Sequence, residues 1–72
     1  MRHYVTFGQV HVHEIGEKRL DRNCVAVFDA PSPEQGRRRA FELFGDKFSF
    51  EYSEQEFDKD MMLHFPRGFV EL

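Results

Sequence analysis

The stretch from Ser32 to Gly45 carries the clearest local signal in the chain, and it fixes one helix in an otherwise strand-like sequence. Ser32 can cap the helix, Pro33 suits the first helical position, and Gln35 completes a capping box. Gly45 is a natural left-handed stop. The spacing therefore predicts a helix from about Pro33 to Phe44. Its inner stripe is Gly36, Ala40, Leu43 and Phe44, with Phe41 beside it. Gly36 and Ala40 are small, so the helix can lie close to whatever it covers.

What flanks this helix reads as strand. Tyr4 to Ile15 alternates β-branched or aromatic residues with polar ones. The alternation changes phase between Phe7 and Val10, and a one-residue bulge at Gly8-Gln9 would restore one apolar face. Gly16-Glu17-Lys18-Arg19 reads as a hairpin turn. Asn23 to Phe28 is almost continuously apolar, as expected of a strand covered on both faces. Phe48, Phe50 and Tyr52 alternate with Ser49 and Glu51, which gives a third strand with one aromatic face. Ser53 and Glu56 repeat the capping-box pattern, and Phe57, Met61 and Phe65 recur at helical spacing. A second helix is expected from about Glu54 to His64, ended by Pro66. Phe69 to Leu72 closes the chain as a short edge strand.

The order is β-β-α-β-α-β, and the fold class is α+β. A mostly antiparallel sheet of three or four strands carries the main helix on one face. All 72 residues form a single domain. Area scaling expects about 4,700 Å² of exposed surface for a folded chain of this mass. So small a core is marginal as a monomer, and homodimerisation is an expectation that follows.

Charge and cysteine content narrow the setting. The formal charge is −3, which disfavours general binding to nucleic acid or anionic membranes. The single cysteine, Cys24, has no internal disulfide partner, in keeping with a reducing cytoplasm. Neither a signal-peptide core nor an apolar run long enough to span a bilayer is present.

The residues Tyr4-Val5-Thr6-Phe7-Gly8-Gln9, His11 and His13, Asn23-Cys24-Val25-Ala26, Ala40-Phe41-Glu42-Leu43-Phe44-Gly45 and Phe65-Pro66-Arg67-Gly68 form an overall pattern. In that pattern the chain resembles small proteins encoded by bacteriophages and prophages. The resemblance implies an accessory protein expressed in the cytoplasm of a bacterial host, and it brings no catalytic residues with it.

Three groups of residues are candidates for chemistry. His11 and His13 stand at i and i+2, a spacing that can place two imidazoles on one strand face for a metal. Zinc would need further ligands, from Cys24, His64, Glu14 or His3. Arg37, Arg38 and Arg39 are the densest basic cluster. Arg37 or Arg38 could hold an anion, such as a phosphate or a partner's carboxylate, near the helix N-terminus. The third group is apolar. Nine phenylalanines are many for so small an interior. Phe7, Phe28, Phe41, Phe44, Phe48 and Phe50 are assigned to the core. Phe57, Met61 and Phe65, with Arg67, are assigned to a partner surface.

No phosphate-binding loop, dinucleotide fingerprint, nucleophile elbow or C-x-x-C pattern occurs. The sequence therefore reads as a non-enzymatic binder of a host protein or of a small, anionic ligand, without a cofactor. The alternative is a small metal- or nucleotide-dependent enzyme centred on His11 and His13.

Overall fold

A computed structural model describes residues 1–72. Six strands and one α-helix form: β1 (Arg2–Thr6), β2 (His13–Ile15), β3 (Lys18–Leu20), β4 (Cys24–Asp29), α1 (Pro33–Phe44), β5 (Phe50–Ser53) and β6 (Gly68–Glu71). A short 3-10 helix, Lys59–His64, lies between β5 and β6. The main sheet has the order β5-β1-β4-β6, and β2 and β3 form a separate hairpin. β1 pairs antiparallel with β4 and β5, whereas β6 runs parallel to β4. The α+β architecture and mostly antiparallel sheet agree with the sequence reading. The exposed surface is 4812 Å², close to the value expected from mass.

α1 forms where its signals place it. The Ser32 hydroxyl accepts from the Gln35 N–H at 3.2 Å, and the Gly45 N–H bonds back to the Phe41 carbonyl. Gly36, Ala40 and Phe44 are its buried residues. They complete a core with Val5, Phe7, Leu20, Cys24, Ala26 and Phe28, while Leu43 packs at its margin. The opposite face of the sheet is built from Tyr4, Tyr52, Phe57 and Phe69. Tyr4 stacks on Phe57 with ring centroids 4.4 Å apart.

Three expectations about the elements need correction. The first strand is not one bulged strand to Ile15. It ends at Thr6 and turns at Gly8, whose φ of 64° takes the chain out of the sheet, so β2 begins only at His13. The hairpin turn is shorter than expected, because Ile15 pairs directly with Lys18 across Gly16-Glu17. The second helix does not start at Glu54. The Ser53 carbonyl accepts from both Glu56 and Phe57 N–H groups while Glu56 Oε1 accepts from Ser53 N–H, which closes a turn. Asp58 then restarts the chain by accepting from the Asp60 N–H, and the segment that follows is 3-10.

The aromatic assignments also change. Phe41 and Phe50 are 54% and 60% exposed, whereas Phe57 is buried under Tyr4 and so is not part of any partner surface. Phe48 lies outside β5 and packs on the helix-side core, away from Phe50 and Tyr52. The alternation of β5 therefore begins only at Phe50.

Candidate functional site

No helix is long and apolar enough to cross a membrane. Among the groups singled out in the sequence, the two histidines do not share a strand. His13 sits in β2, its Nε2 is 2.6 Å from the Lys47 carbonyl, and its ring packs against Phe7 and Phe44. That contact ties the hairpin to the segment after α1. His11 lies outside any strand and lines a polar cleft instead. Cys24 is fully buried, and its Sγ engages the Asp21 N–H at 3.4 Å. Burial pushes the Cys24 thiol up, with the Asp21 N–H and Arg67 opposing. No three His, Cys, Asp or Glu side chains come together as metal ligands, so His11, His13 and Cys24 do not form the expected zinc set.

The helical arginines do not converge either. Arg37 Nε is 3.9 Å from Glu51 Oε1, and Arg38 points to solvent without an ion pair. The first turn of α1 already holds an acidic residue, Glu34, and the Ser32 cap. The anion site expected from Arg37 and Arg38 is thus not assembled.

Behind Arg37 lies a buried polar pair that the sequence did not reveal. His3 is fully buried, its Nδ1 is 2.9 Å from Glu51 Oε2, and its ring stacks on Phe28. The Nε2 atom of His3 has no hydrogen-bond partner. The ring is sealed beneath Gly36, so this pair belongs to the interior.

An open surface lined by aromatic and polar side chains lies on the other side of the sheet. A cavity of about 400 Å³ opens between the Gly8-Gln9 turn, the end of β1, β5 and the 3-10 helix. Phe50, Tyr52, Met61 and Phe65 supply its apolar walls. Gln9, Arg22, Asn23 and His64 supply polar groups, with Thr6 and Ser49 adding hydroxyls. A second cleft of about 250 Å³ adjoins it and is lined by His11, Arg19 and Asp21. Gln9, Arg22 and Asn23 border both spaces.

The border is built by a latch around Asp21. One Asp21 oxygen accepts from the Asn23 N–H at 2.9 Å, and the other lies 3.0 Å from Arg67 Nη1 and 3.3 Å from Arg19 Nε. The Asn23 N–H, together with Arg67 and Arg19, holds the Asp21 carboxyl below its usual range. Arg67 also donates from Nη2 to the Arg19 carbonyl, pinning the start of β6 to the β3–β4 turn. Of the expected partner surface, Met61 and Phe65 line the larger cavity, while Arg67 is committed to this latch. The spacing Asp21-Arg22-Asn23 is an Asx-turn signature, and it was the available signal for the border. No family model, curated protein or solved structure matches the chain.

Proposed function

We propose that this chain is a non-enzymatic binding protein that sequesters a small molecule with a flat apolar part in the cavity walled by Phe50, Tyr52, Met61 and Phe65. One observation carries the reading. A cavity of about 400 Å³ combines aromatic walls with a few convergent polar groups, which is the usual make-up of a small-molecule site. The phage-protein resemblance adds the setting, an accessory protein in a bacterial cytoplasm.

A neutral aromatic dye, N-phenyl-1-naphthylamine, tests the cavity without involving charge. Its fluorescence should rise on binding the wild type and fall back in Phe50→Ala, whose exposed side chain contributes little to folding. Equal fluorescence with both proteins, or none with either, would overturn the reading.

A second reading has its own support. Leu63 is 88% exposed and Val10 83%, and the chain covers neither. A protein partner, or a second copy of the chain, that buries both would account for them. Light scattering and crosslinking of the wild type against Leu63→Ser read this directly.

A further inference from the structure

We infer that the ligand of this cavity is a nucleoside monophosphate, with its base against Phe50, Tyr52 and Phe65 and its phosphate at Arg22. The inference rests on the cavity reading above and adds the chemical class.

Charge is the first argument. The molecule is acidic overall, at −3, yet Arg19 and Arg67 converge on the Asp21 carboxylate at the border between the two clefts, and Arg22 lines both of them. Asp21 is already satisfied by the Asn23 N–H, Arg67 and Arg19. Arg22 has no acidic partner in the protein, although it lines both spaces. An arginine fork that shares a cleft with amide groups suits a phosphate, which it can meet with paired hydrogen bonds. Gln9 and Asn23 supply amide donors at the same border, and His11 faces it from the smaller cleft.

The walls are the second argument. Phe50, Tyr52 and Phe65 offer flat surfaces on which a base can stack. Thr6 and Ser49 add hydroxyl groups that a bare phenyl ring would leave unpaired. A heterocycle or a ribose pairs them. The volume of about 400 Å³ suits one small molecule and not a folded partner or a helix. The global negative charge argues against a polymer, because a long phosphate backbone would have to cross acidic surface.

Calorimetric titration with AMP and its guanine, cytosine and uracil counterparts, with adenosine, and with inorganic phosphate separates the parts. At least one monophosphate should bind, about tenfold or more tightly than its nucleoside, which is the effect of one charge-assisted hydrogen bond. Arg22→Ala should bring the monophosphate to the affinity of the nucleoside and leave the nucleoside unchanged. Added salt should weaken the monophosphate alone. Phe50→Ala should weaken both. Equal binding of nucleotide and nucleoside, insensitive to Arg22→Ala, would overturn the phosphate assignment while the cavity reading stands. If no monophosphate binds but the neutral naphthylamine does, the nucleotide inference falls and the cavity reading survives. Failure of both probes would overturn both.

Discussion

The fully buried imidazole of His3 occupies the space that a Cβ on Gly36 would need. Gly36 was expected to let the helix approach the sheet closely, and this contact gives the reason. The ring stacks on Phe28 and is held by Glu51, so it has no room to yield. Gly36→Ala should destabilise by about 1–3 kcal/mol, the usual cost of overpacking, despite alanine's better helix propensity. The same change in a His3→Ala background should cost much less. Urea denaturation of the four proteins checks this, and additive effects would contradict it.

Glu51 holds the other end of that contact. Its carboxylate lies 2.9 Å from His3 Nδ1 and is nearly buried, whereas Arg37 at 3.9 Å is mostly exposed. Glu51→Ala should therefore cost about 1–3 kcal/mol, because it leaves a buried ring nitrogen unpaired. Arg37→Ala should stay within about 0.5 kcal/mol. Equal losses would show that the helix–sheet ion pair matters as much as the buried bond.

Asp21 gives the fold part of its acid sensitivity. Its carboxyl is held below the usual range in the folded chain, first by the Asn23 N–H and then by Arg67 and Arg19. A depressed folded pKa contributes stability above the unfolded value, near 3.9, and loses it as pH falls through the folded value. Asp21→Asn should be less stable than wild type at neutral pH, and the gap should close on acidification toward pH 3. Thermal melts across that interval follow the gap. A constant difference would mean that the charge on Asp21 plays no part.

Two phenylalanines three residues apart on α1 should behave differently. Phe44 is buried against Phe7, with ring centroids 5.1 Å apart, whereas Phe41 is 54% exposed and touches Phe48. Phe44→Ala should cost about 3–5 kcal/mol. Phe41→Ala should cost about 1 kcal/mol, nearer to a surface change. Similar melting shifts for both would mean that the buried face of the helix has been rotated.

These contrasts mark how far the sequence could be read. α1 was legible to the residue because its cap, its proline and its glycine stop are all local devices. The central strand β4 was legible because both its faces are apolar. Gly8 was not, since a bulge and a chain reversal use the same glycine, and only the sheet decides between them. The turn at Ser53-Glu56 carries a helix-start pattern, yet Phe57 is drawn onto Tyr4, which overrides it. For the site, Met61 and Phe65, expected on a partner surface, line the larger cavity. Arg22, Asn23 and Gln9 were missed because turn residues far apart in sequence acquire a shared role only once the chain has folded. The arginine run on α1 drew notice by its density, but three successive helical residues fan out around the cylinder.

The nucleoside monophosphate is proposed to bind between β5 and the Asp21–Asn23 turn. Amide shift mapping of the isotopically labelled protein during titration with the monophosphates tests it most directly. Saturable shifts are expected at Gln9, Arg22, Asn23, Phe50 and Tyr52, with α1 unaffected. Shifts centred on Arg37 and Arg38, or no shifts at all, would contradict it.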